Sequence, residues 1–309
     1  MDYVSVRVST LRGDQKIKFN VYVQINEKMI LYIRDGDSFE GTRLKRLKEK
    51  KLKKLFISQE DESKYRDYLL LNIEKAYDSK SNVDIQTRAE IIQGSQQCNV
   101  EEVFENPENA EAYNIAKDSA SKYVQFLLGH SQAIRSVLNI ENSDQNISHH
   151  GVNVSTFAVS LGHKLGIIDD KQTQMLALGG LLHDYGHSVT LFTPNKLTTE
   201  MSTDELTVYK SHPEIGANKL QDKKHFDQQI INIIMKHEEL IDGSGYPNGL
   251  MDKDIDQLTQ IVSSANALDR MMVFEGVPKD EVSKKLMMTK VGKHPLPHLQ
   301  HLAELIKTI

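Results

Sequence analysis

Residues 175–188 read MLALGGLLHDYGHS. Met175 to Leu182 carry no polar side chain, and a helix that is apolar on every face belongs in a protein interior. His183 and Asp184 follow at its edge. A carboxylate buried there without a partner is costly, so something must neutralise Asp184, and a metal ion is the candidate. The flanking stretches extend the pattern. SHHGVNVSTFAVSLGHKLG (148–166) is a helix with Val152, Phe157, Leu161 and Leu165 on its apolar side, and IINIIMKHEELIDGSGYPNGL (230–250) is an apolar helix running into a Gly-rich turn. YKSHPEIGANKL (209–220) sets His212 before Pro213, where proline favours a first helical turn, and IVSSANALDRMM (261–272) is a last helix holding Asn266 and Asp269. The second half therefore reads as an all-helical bundle.

The first half is different. VSVRVS (4–9), KFNVYVQI (18–25) and MILYIR (29–34) read as strands, with GD and NEK as turns. TRLKRLKEKKLKKLFIS (42–58) is a basic helix followed by a short strand, and EDESKYRDYLLLNIEKAY (60–77) is an amphipathic helix. The basic run Arg43 to Lys54 reads as the solvated face of a surface helix. The expected fold is α+β: a small α/β regulatory or interaction domain over 1–80, connecting helices over 81–144 and a helical domain over 145–309.

Composition narrows the function. The 309 residues are 39% apolar and 26% charged, suiting a globular protein, and the net charge of -5 gives no pull toward DNA or a membrane surface. The N-terminus does not read as a signal peptide, and no apolar run is long enough to span a bilayer, so the cytoplasm is the expected location. Cys98 is the only cysteine, which excludes an internal disulfide and disfavours a thiolate metal cluster. Eight of the 12 histidines fall within residues 149–237, among them His149, His150, His163, His183, His187, His212 and His237. Singly, each reads as a hydrogen-bonded core residue, and His183–Asp184 as an ion pair or cap. Together, the histidines and carboxylates near successive helix ends suit a first-row metal, and one carboxylate can bridge two cations.

HDYGH followed by HEELIDGSGYP resembles the HD-GYP subgroup of HD-domain phosphohydrolases, over roughly residues 145 to 275. His150, the pair His183–Asp184, HPEIG from His212 and DGSGYP from Asp242 carry the resemblance. It implies hydrolysis of a cyclic dinucleotide, cyclic di-GMP above all, in bacterial signalling. It also implies a centre of two divalent cations, iron first and manganese next. His150, His183, Asp184, His212, His237 and Asn266 would be the ligands, with Asp184 bridging. Asp184, His183 and Glu238 would be catalytic, while Tyr185, His187, Lys236, Gly245, Tyr246 and Arg270 would face the substrate. The chain also departs from the family pattern. Tyr185 and His187 occupy the variable and lysine positions of HD-(I/V)-G-K, Lys236 stands for the first histidine of His-His-Glu, and Asn266 stands for an aspartate. The Arg-Pro-Tyr stretch expected after Asp269 is absent, and Asn146 replaces the glutamate used by members with a third metal. Two functions follow as expectations: a phosphodiesterase of low or altered activity, or a weakened domain acting as a nucleotide sensor or as an adaptor whose Gly-rich loop meets a signalling protein.

Overall fold

Alternation of apolar residues builds the N-terminal sheet. A computed structural model of the protein describes residues 2–13, 15–40, 42–50, 52, 54–140, 147–190 and 197–309. Strands β1 (Tyr3–Arg7), β2 (Val21–Ile25), β3 (Lys28–Ile33) and β4 (Lys54–Ser58) form an antiparallel sheet in the order β1-β4-β2-β3. The β2–β3 turn is made by Asn26 and Glu27, both at positive φ, 48° and 63°, as a tight hairpin with the native twist requires. Helix α1 (Arg43–Glu49) precedes β4, and α2 (Glu62–Tyr77) follows it. Phe19, Val21, Ile33, Leu55 and Ile57 are fully buried, and Phe19 meets the rings of Tyr65 and Tyr68 on α2 edge-on, each at 5.6 Å.

The rest of the described chain is helical: α3 (Ile85–Glu105), α4 (Ala110–Gly129), α5 (Ala133–Leu138), α6 (Ile147–Lys164), α7 (Asp170–Leu182), α8 (Tyr185–Thr190), α9 (Thr203–Leu220), α10 (Gln228–Lys236), α11 (Gln257–Val273), α12 (Lys279–Lys290) and α13 (Leu296–Ile306). The chain divides into two compact units, Met1–Cys98 and Asn99–Ile309, with the boundary inside α3. Helix α4 belongs to the bundle rather than to a connection. Its Tyr123, Phe126 and Leu127 are buried, and the Tyr123 hydroxyl meets Thr156 Oγ1 of α6 at 2.6 Å. The core of this unit gathers Phe157, Leu161, Leu176, Ile233, Ile261, Leu268, Leu286 and Leu302.

Helices α6 and α7 touch backbone to backbone. A Cβ on Gly180 would stand 2.5 Å from Ser155 Cα, and one on Gly151 would stand 2.7 Å from the Leu181 carbonyl oxygen. This close crossing sets His150 beside His183. Gly186 does the same for α8 and α9, because a Cβ there would run into the carbonyl oxygen of His212. The glycine of HDYGH thus serves packing. Asn146 lies outside the described residues.

Candidate metal centre

Helix ends deliver the imidazoles. A helix leaves the carbonyls of its last turn without backbone partners. His183, the C-cap of α7, donates Nδ1–H to the Gly180 carbonyl at 2.8 Å. His237, the C-cap of α10, donates Nδ1–H to the Ile234 carbonyl at 2.9 Å. His212 is not near a helix start, as its proline suggested. Helix α9 begins at Thr203 behind a reciprocal Ser202–Glu205 cap, and Pro213 lies in its interior. Proline has no N–H for the Tyr209 carbonyl four residues earlier, and the His212 Nδ1–H takes that acceptor at 2.6 Å. An interior proline has made a local helix end. His150, in the first turn of α6, donates Nδ1–H to Asp269 Oδ2 at 2.6 Å, and Asn153 Nδ2 anchors the other Asp269 oxygen at 3.0 Å.

With Nδ1 donating in all four rings, each neutral imidazole keeps a lone pair on Nε2. Those lone pairs converge. His150 and His183 face each other Nε2 to Nε2 at 3.2 Å, and His212 and His237 at 3.0 Å. Asp184 stands between the pairs. Its Oδ1 is 3.3 Å from His212, 3.4 Å from His237 and 3.5 Å from His183, yet it makes no hydrogen bond to any described residue. Its Oδ2 is 3.6 Å from His150 Nε2. Asn266 points Oδ1 at His150 Nε2, 3.1 Å away, which sets another acceptor against a lone pair. Acceptors facing acceptors in a buried space call for positive charge. Among the described residues, three overlapping donor groups could hold a cation: His150–His183–Asp184, Asp184–His187–His212 and His212–His237–Glu238. The cluster is compatible with divalent metal binding.

The electrostatics agree. Burial pushes the His183 pKa down to about 3 and that of His187 well below its ordinary value, so both rings are neutral. Burial works against the charge on Asp184, and it is positive charge among the surrounding imidazoles that holds its carboxyl well below the usual carboxylate range. Burial also opposes a charge on His237; Asp184 and Glu238 nevertheless raise its pKa, so proton and cation compete for its Nε2. Glu238 is only half-buried; desolvation opposes its charge too, yet Arg270 and the neighbouring histidines bring its pKa down to about 2.

Several expected positions move. His187 is part of the cluster: its ring stacks on His212 at 3.9 Å, with Nε2 3.9 Å from Asp184 Oδ1. Lys236 is not. Its Nζ turns to the Asp254 carbonyl oxygen at 3.4 Å. Reading His237–Glu238–Glu239 against His-His-Glu resolves this, with Glu238 at the second histidine and Glu239 at the glutamate. Glu239 is buried and accepts the backbone N–H of Asn248 at 2.6 Å and of Leu250 at 2.9 Å, clamping the Gly-rich loop. Gly245 allows that loop to fold back, since a Cβ there would stand 2.5 Å from Glu239 Cα. Tyr246 sits edge-on to His212 at 6.5 Å, with Lys210 Nζ 5.6 Å from the centre of its ring. Tyr185 packs edge-on against Phe104 at 5.5 Å, and burial pushes its phenol up to about 12, so it serves the core. Arg270 donates to the Tyr209 hydroxyl, lies over that ring at 5.1 Å and stands 3.8 Å from Glu238. The sequence motifs assign no role in the site to Asp269, Glu239 or Tyr209.

The HD domain family model matches residues 117–285, more than half of the chain. Bd1817, an HDG"Y"P protein from Bdellovibrio bacteriovorus, has a solved structure that is 62% identical, with a TM-score of 0.94 over 99% of this chain and 100% of that one. The chain belongs to the HD-GYP family. Among curated relatives, this HD-GYP chain is 28% identical over 174 residues to the cyclic di-GMP phosphodiesterase PA4108 of Pseudomonas aeruginosa, covering 55% of this chain and 39% of the relative. It is also 28% identical over 133 residues to the cyclic di-GMP phosphodiesterase PdeB of Borreliella burgdorferi, covering 42% of this chain and 34% of the relative. The match thus spans well under half the length of either relative. Among the described residues, no helix is long and apolar enough to cross a membrane.

The proline in α9 gives a test with opposed signs. Pro213→Ala returns a backbone N–H to the Tyr209 carbonyl and takes away the acceptor that orients His212. Thermal stability is expected to hold or rise, because proline costs about 3 kcal/mol in a helix interior. Metal affinity is expected to fall roughly tenfold, the usual size for loss of an orienting partner. Mn²⁺ titration beside a melting curve reads both. A joint fall would mean that the proline serves only the fold.

Proposed function

We propose that this HD-GYP chain is a metal-dependent phosphodiesterase that opens a cyclic dinucleotide, cyclic di-GMP first, with two divalent cations, iron before manganese. The observation that carries the reading is the convergence of four Nε2 lone pairs on the Asp184 carboxylate. In this reading His150, His183, Asp184 and Asn266 hold one cation, and Asp184, His212 and His237 hold the other. Bound there, divalent cations supply Lewis-acid stabilisation of charge on a phosphodiester and make water a better nucleophile near neutral pH. The names of the curated relatives support this reaction class.

The chain's own side chains do the rest. Asp269 and the carbonyls of Gly180, Tyr209 and Ile234 fix the four rings, so that no reorientation is needed when substrate arrives. Arg270 stands beside the cluster as a fixed positive charge for a phosphate oxygen. It is the nearest substitute for the absent Arg-Pro-Tyr stretch. The loop around Gly245 and Tyr246, held by Glu239, borders the same space.

Incubation of the metal-loaded chain with cyclic di-GMP, and in parallel with cyclic GMP–AMP, tests the proposal. The expected product is the linear dinucleotide, released faster from cyclic di-GMP. Asn266 and the missing Arg-Pro-Tyr stretch favour a second reading, a nucleotide sensor. Tight binding of cyclic di-GMP without turnover would select it and end the phosphodiesterase reading.

A further inference from the structure

We infer that Glu238 is a ligand of the second cation, so that the two metal sites carry unequal charge, one completed by a carboxylate and the other by a neutral amide. The inference rests on the metal-centre reading above and deepens it. Two donors, each about 2.1 Å from one cation, can stand up to about 4.2 Å apart when they lie opposite each other. Glu238 Oε1 is 4.0 Å from His237 Nε2, inside that span. Glu238 also belongs to one donor group with His212 and His237.

Three contacts hold that oxygen in place. Asn266 Nδ2 donates to it at 3.3 Å, the Tyr209 hydroxyl at 3.5 Å, and Arg270 Nη1 stands 3.8 Å away. The Asn266 amide is thereby committed in both directions. With Nδ2 on Glu238, its Oδ1 faces His150 Nε2 at 3.1 Å, in the first half of the cluster. A flipped amide would press Oδ1 against the Glu238 carboxylate, so Glu238 sets which way Asn266 points.

The donor sets then differ. The first site has two imidazoles, a share of Asp184 and an amide oxygen. The second has two imidazoles, a share of Asp184 and a full carboxylate. A carboxylate attracts a hard divalent cation by its charge, while an amide brings only a dipole. The second site should therefore fill first.

Titration of the full chain with Mn²⁺, followed by the paramagnetic resonance of free Mn²⁺, tests this without reference to activity. Two classes of site are expected, separated roughly tenfold or more. Glu238→Gln should weaken the tight class by roughly tenfold or more, while the weak class moves by less than about threefold. Asn266→Asp should strengthen the weak class toward the tight one. Circular dichroism of both variants checks that they are folded. Should Glu238→Gln leave the tight class unchanged, or weaken both classes equally, Glu238 is not a ligand of the second site. A wild-type chain that binds two Mn²⁺ with equal affinity overturns only the inequality. A wild-type chain that binds none overturns the metal-centre reading itself.

Discussion

Asp184→Asn protein is expected to lose the stabilisation that cations give the native chain. The amide keeps the shape of the carboxylate but removes the anion that lies 3.3–3.6 Å from four imidazole nitrogens. Both proposed sites share that anion, so both should weaken together, by more than about 100-fold. The readout is a melting curve with and without Mn²⁺. Where Mn²⁺ stands at 100 times its dissociation constant, a bound cation adds about 2.7 kcal/mol per site to the native protein. After a 100-fold loss the same concentration adds only about 0.4 kcal/mol. An Asp184→Asn variant that keeps the full cation-dependent rise would show that Asp184 does not join the sites.

Gly186→Ala should do the most damage to the fold. The new Cβ would run into the His212 carbonyl oxygen, stand 2.6 Å from the carbonyl carbon and 3.0 Å from Cα, all of them backbone atoms. Gly216 closes the same contact from the other side, 2.9 Å from Gly186 Cα to its own virtual Cβ. No rotamer change relieves such a clash, so α8 must move off α9 and carry His187 away from His212. A loss of about 3 kcal/mol or more is expected, at the upper end for overpacking. In a unit of this size that lowers the melting temperature by roughly 6–12 °C. Gly129→Ala is the control. A Cβ there meets nothing within 4 Å, so the change should be within about 1 kcal/mol. Equal melting temperatures for the two variants would remove the case for Gly186 as a packing glycine.

The bundle and most of its donor set were legible because burial leaves a strong mark. An unbroken apolar run from Met175 to Leu182 admits a buried helix, and His183–Asp184 at its end invites a cation. The strands and the Asn26–Glu27 turn were equally readable from alternation. What escaped was register and second partners. Ser202 and Glu205 are spaced as a capping box, and that spacing starts α9 well before Pro213. His187 is three residues beyond Asp184 and so shares its side of a helical turn, a signal for the cluster rather than for the substrate. The frame of the His-His-Glu triplet shifts by a single residue, from 236–238 to 237–239, where helix α10 ends. Asp269 lies one helical turn beyond Asn266, but nothing in the sequence distinguishes a group that orients a ring from one that faces solvent.

The four imidazoles take their aim from Asp269 and from three backbone carbonyls, all supplied by the folded chain. In the proposed centre, cations would be guests in a socket whose walls already stand. Occupancy can therefore be reset: a chelator should empty the centre and fresh salt refill it within a single native state, with no passage through the unfolded chain. Such a centre can exchange one divalent ion for another as their supply changes, and its chemistry would follow the ion on hand.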